Sequence, residues 1–153
     1  MDILYDILSA IERIQDRTKN IRSADDFLSS PEGMTLLDAT CMLLIAVGES
    51  LKNLDKVTDG KLLPTYPSIP WKQVKGLRDI IAHHYFDVDA SQIFWILSYE
   101  LSPLEQAVRF FITNLSNVKK VPRRTEPFAM VFSLQQSEIG CTFATHLRHK
   151  CRI

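Results

Sequence analysis

At 153 residues the chain is the length of one domain, able to bury roughly two-thirds of the surface its unfolded form exposes without a disulfide or metal. Hydrophobic residues make up 46% and charged residues 24%, with 18 Lys/Arg against 18 Asp/Glu, which excludes a collagen, a coiled-coil rod and a wholly disordered chain. That neutrality is a sum of opposites: residues 1–115 hold 11 Lys/Arg and 16 Asp/Glu, a net of −5, whereas residues 116–153 hold 7 and 2, a net of +5.

In chain order, Ile3, Leu4, Ile7, Leu8, Ile11 and Ile14 recur at helical steps, and an amphipathic helix is expected over 2–22. Phe27 and Leu28 follow a break at Ser23–Asp26 and are expected to plug the core. Ser30-Pro31-Glu32 reads as a helix start, with a hydroxyl cap, proline at the first position and an acid in the first turn. This second helix should run to about Leu54. It is apolar all round between Cys41 and Val47, and should be the buried central helix. Gly48 inside it costs about 1 kcal/mol relative to Ala, so a close neighbour is expected there. Asp59-Gly60, Pro64 and Pro67 mark a connector over 56–69, and Ile69-Pro70-Trp71 opens a helix ending near Phe86. Asp89 caps a further helix, and Ser102-Pro103 caps the last, whose apolar stripe ends at Leu115. No segment up to residue 115 alternates with period two.

The expected fold is all-α: an antiparallel bundle of four to five helices over residues 1–116, with an irregular basic extension over 117–153. No apolar run reaches about 18 residues, so no membrane span is expected. The acidic start does not read as a signal peptide, and three unpatterned cysteines suit a reducing, cytoplasmic setting. In the extension, Cys141, His146, His149 and Cys151 match no common zinc spacing, so no metal is assigned.

The densest polar cluster is Arg78-Asp79-Ile80-Ile81-Ala82-His83-His84-Tyr85. By spacing alone these are as well read as surface charges and a polar helix end. Arg78-x4-His83-x-Tyr85, however, resembles the signature of the HepT-like toxins, a branch of the HEPN superfamily of small helical ribonucleases. Val47-Gly48-Glu49-Ser50, Tyr66-Pro67-Ser68-Ile69-Pro70-Trp71, Phe86-Asp87-Val88-Asp89 and Glu100-Leu101-Ser102-Pro103 are similar to that family too, so the resemblance spans roughly residues 1–115. Typical members end near the last helix, so the extension is a departure.

The resemblance implies an RNA-cleaving toxin of a type VII toxin–antitoxin system, working without metal or other cofactor on tRNA or mRNA, with tRNA favoured. Its implied partner is a nucleotidyltransferase antitoxin of the MntA type, which silences the toxin by adding AMP to the motif tyrosine, here Tyr85. A homodimer is implied, able to join a larger hetero-oligomer with the antitoxin. The alternative is a non-catalytic helical partner, or substrate-binding module, of a nucleotidyltransferase.

The residue types suit that chemistry. An imidazole exchanges protons near neutrality, so His83 can act as base or acid, and the guanidinium fork of Arg78 matches a phosphate. Asp79, His84 and Glu49 are candidate supporting residues; Glu49, in an apolar stretch, is expected to be buried with Arg78 as its partner. At 100° per residue Arg78 and His83 stand about 140° apart, whereas Arg78 and Tyr85 fall within about 20°. Either the helix is distorted near His83, or the working pair is completed across a dimer.

Overall fold

The computed structural model describes residues 2–83 and 88–120. Within them are six α-helices and no strand, in line with the all-α expectation: α1 (Asp2–Thr18), α2 (Asp25–Leu28), α3 (Pro31–Val57), α4 (Trp71–His83), α5 (Ala90–Trp95) and α6 (Leu101–Lys120). His84, Tyr85, Phe86 and Asp87, and residues 121–153 of the expected extension with its apolar run and its Cys/His quartet, lie outside the described residues, while residues 117–120, the expected start of that extension, continue α6.

The apolar stripe of α1 is buried as its period requires, with Leu4, Ile7, Ile11 and Ile14 packed into the core. The helix ends at Thr18, short of the expected residue 22; the Thr18 hydroxyl donates to the Ile14 carbonyl. Of the two residues expected to plug the core, Phe27 is fully buried and Leu28 is exposed. Ser30 caps α3 by accepting from the Gly33 N–H at 3.0 Å. Helix α3 then packs against α1, α2 and α4 as the central helix. Helices α1 and α6 run antiparallel: Gln15 donates to Glu105, while Arg109 pairs with Glu12 and Glu105.

Other expectations change more. The centre of α3 is not buried all round: Met42 is 58% exposed and Ala46 is exposed, forming a ridge between the flanks that meet α1 and α4. By length and composition α3 is also apolar enough to cross a membrane, with a window of mean hydropathy 1.6 of which 39% is buried. Its core-facing side serves as the bundle's centre, and the surplus lies on that ridge. Ser102-Pro103 does not start a separate helix either. The chain passes from α5 through a π-turn (Ile96–Glu100) directly into α6. There the Leu101 N–H donates to the Ile96 carbonyl, five residues back. The proline ring clashes with the carbonyl four residues earlier in a regular helix, here Tyr99, and the widened turn falls where that room is needed.

Cys41 is buried on the core side of α3, and burial pushes its thiol up to about 11, so it is packing rather than a nucleophile. The core closes with Leu101, Leu104, Ala107, Val108 and Phe111 of α6. A chain cut after Lys120 is therefore expected to keep its helical circular dichroism and a cooperative melt. Collapse on truncation would place the apolar run Phe128–Leu134 in the core.

Candidate active site

The site is built where α3 and α4 approach most closely, and Gly48 sets that approach. A Cβ on Gly48 would lie 2.8 Å from the Arg78 Cβ and 3.5 Å from the Arg78 backbone nitrogen. The close neighbour expected from a mid-helix glycine is thus Arg78 itself.

Around this contact the two antiparallel helices exchange charges. Glu49, Lys52 and Asp55 on successive turns of α3 meet Arg78, Asp79 and Lys75 of α4. Arg78 Nη1 donates to Asp79 Oδ1 at 2.7 Å. Its Nε lies 3.1 Å from Glu49 Oε2 but off line for a hydrogen bond, so this buried N–H has no hydrogen-bond acceptor among the described residues. Lys52 Nζ donates to both Asp79 oxygens, at 3.1 and 2.9 Å.

These contacts hold the charges in place. The hydrogen bond from Arg78 to Asp79, with the field of Glu49 second, pushes the guanidinium's pKa further up. Lys52 first, and Arg78 second, hold the Asp79 carboxyl below the usual carboxylate range. The Arg78 side chain remains 38% exposed, so it can meet a ligand. Glu49 is the Arg78 partner that its position suggested, but at 59% exposed it is not buried. It sits on the outward side of α3, beside the exposed ridge.

Arg78, Asp79 and Glu49 are therefore brought together, and His83 is not. It is the exposed last residue of α4, and its side chain has no hydrogen bond among the described residues. Because α4 is unbroken from Trp71 to His83, Arg78 and His83 keep their separation of about 140°. His84 and Tyr85 lie outside the described residues. Sequence reading missed Lys52, although its place three residues after Glu49, on the flank of α3 that faces α4, is a legible signal.

Beside Gly48 is an apolar cavity of about 30 Å³, lined in part by Val47, Leu77 and Ile96. Glu100, at the end of the π-turn, also borders it, and burial raises its carboxyl pKa. On the other flank of the α3 ridge a groove of about 250 Å³ runs between α1 and α3, with Asp6, Ser9, Arg13 and Ser50 on its walls.

The HepT-like family, described as ribonuclease HepT-like, matches residues 7–111. The chain is 34% identical over 106 residues to "Putative RNase TTE0752" of Caldanaerobacter subterraneus subsp. tengcongensis, covering 69% of this chain and 88% of that protein. It is 36% identical over 94 residues to "Probable ribonuclease HepT" of Thermococcus cleftensis, covering 61% and 77%. A further relative, "Putative RNase MJ0125" of Methanocaldococcus jannaschii, is 30% identical over 112 residues, covering 73% of this chain and 90% of that protein. No solved structure matches the chain. With most of its bundle inside the family match, the chain belongs to the HepT-like ribonuclease family.

Proposed function

We propose that this chain is a metal-independent endoribonuclease, the cytoplasmic toxin of a type VII toxin–antitoxin system, acting on RNA with tRNA favoured. The observation that carries the reading is the Arg78 clasp: a charged, part-exposed guanidinium held by two helices, five residues before an exposed histidine on an unbroken helix. RNA can be cut without metal because its own 2′-hydroxyl attacks the adjacent phosphorus. The 5′-oxygen leaves, and a cyclic phosphate remains. His83 takes or returns a proton in these steps. Arg78 binds the phosphate and stabilises the charge gathering on its oxygens.

The two residues work as a pair in a homodimer, Arg78 of one copy with His83 of the other. The separation around α4 supports this, because one copy offers the two groups on different sides. So does the ridge at Met42 and Ala46, an apolar surface on the same side as Glu49 that a second copy would cover. The test is induced expression of the parent, Arg78→Ala and His83→Ala chains with growth and RNA integrity as readouts, and cleavage by purified protein with and without a chelator. Cleavage that chelator abolishes contradicts the metal-independent mechanism.

Silencing is assigned to Tyr85. By the period of a helix, a residue seven places after Arg78 stands within about 20° of it; that spacing supports Tyr85 as the acceptor, because an AMP on its phenol would then put a phosphate beside the guanidinium and block the site. Incubation with an MntA-type nucleotidyltransferase, ATP and magnesium is expected to raise the mass by whole AMP units on Tyr85. Tyr85→Phe should still cut RNA but escape modification. AMP mapped to Tyr5, Tyr66 or Tyr99 contradicts the assignment.

A non-catalytic partner of a nucleotidyltransferase is the second reading. It is favoured by one observation: within a single chain Arg78 is already faced by two carboxylates, Asp79 and Glu49. An intact RNA pool under the parent protein, together with a stable complex with the transferase, would establish that reading instead.

A further inference from the structure

The four charges of the clasp are shared unequally. Asp79 Oδ1 serves two donors, Arg78 Nη1 and Lys52 Nζ, while Oδ2 serves Lys52 alone. A guanidinium beside a carboxylate favours a two-oxygen fork, in which both terminal nitrogens are spent. Asp79 makes only the single contact to Nη1, while Lys52, reaching across from α3, takes both of its oxygens. Arg78 Nη2 has no hydrogen bond among the described residues, and it belongs to a side chain that is part-exposed.

We propose that Lys52 is a positioning residue for Arg78: by holding Asp79 in a one-oxygen contact, it keeps half of the guanidinium fork open for an RNA phosphate. This rests on the reading of Arg78 as the phosphate-binding group. Lys52 comes from a different helix than the motif, so the motif's arginine depends on α3 as well as on its own helix. Without the ammonium, Asp79 swings to chelate Arg78 with both oxygens and competes with the substrate as an internal anion.

The test uses the full chain and total tRNA as substrate, with 2′-O-methyl RNA, which cannot be cut by its own 2′-oxygen, as a binding probe. Lys52→Met is expected to lower kcat/KM by about 10- to 100-fold, the scale of a misplaced catalytic group, while the helical melt persists. Lys52→Arg, which can still serve Asp79, retains most of the rate. Adding Asp79→Asn to Lys52→Met recovers activity, because the amide nitrogen cannot chelate a guanidinium; a lysine needed only to tie α3 to α4 would not be rescued in this way. The salt dependence of probe binding stays that of the parent, whereas a lysine contacting phosphate directly would flatten the slope by about 0.7. A Lys52→Met chain as active as the parent overturns the proposal, and so does a double variant that stays as impaired as the single. Arg78→Ala is the control: if it cuts RNA at the parent rate, the reading of the site falls and this inference with it, whereas a dead Arg78→Ala beside an unimpaired Lys52→Met removes only the role of Lys52.

Discussion

Arg78→Ala and His83→Ala are each expected to abolish RNA cleavage while leaving a folded helical protein. Removing a positioned proton-transfer group costs about 10²–10⁴ in rate. Removing a group that stabilises developing charge costs about 10²–10³. Neither change opens the core: His83 is exposed at a helix end, and Arg78 contributes part-exposed ion pairs, a class that adds little to stability. Circular dichroism and thermal melts near those of the parent, with cleavage lost, are the expected pair of results. A His83→Ala chain that cuts at the parent rate would remove the imidazole from the chemistry.

Gly48→Ala carries the second large effect, and there stability and activity should part. An alanine improves the intrinsic helix propensity of α3 by about 1 kcal/mol. Its methyl group, however, would stand 2.8 Å from the Arg78 Cβ and 3.6 Å from the Arg78 Cα. Those atoms belong to the stem and backbone of α4, not to a flexible side-chain end, so α4 must move. Overpacking of this kind costs about 1–3 kcal/mol, which the propensity gain offsets only in part. The displacement falls on the residue that carries the phosphate-binding group and stretches the pairs from Glu49 and Lys52. A modest loss in melting temperature with a fall in cleavage of about 10²-fold is expected, since small misplacements near a reacting group have that effect. A Gly48→Ala chain that is both more stable and fully active would show that α3 and α4 tolerate a wider spacing.

Much of this architecture could be read from side-chain periods and caps. The steps from Ile3 to Ile14, the Ser30-Pro31 start and the Asp89 cap each act locally, so sequence carries them directly. Local signals were weaker where tertiary packing decides. Ser102-Pro103 has the chemistry of a helix start, yet a π-turn absorbs the proline inside a continuous helical run. The apolar centre of α3 reads as buried because sequence alone does not count neighbours, and among the described residues none covers Met42 and Ala46. At the site, Arg78, Asp79 and Glu49 were legible as residue types, and the glycine announced a close contact without naming it. Spacing to Glu49 could have pointed to Lys52, but not to its part, which depends on which oxygen of Asp79 each cation takes.

The most direct test is complementation between two inactive chains. Arg78→Ala and His83→Ala proteins are each dead in the proposed scheme, but a mixed dimer unites the arginine of one with the histidine of the other at one of its two sites. Mixing equal amounts, with exchange of partners verified by mass, should restore about a quarter of the parent's cleavage, since half the dimers are mixed and each has one intact site. A mixture that forms mixed dimers and stays as inactive as its components would contradict a site shared between two copies.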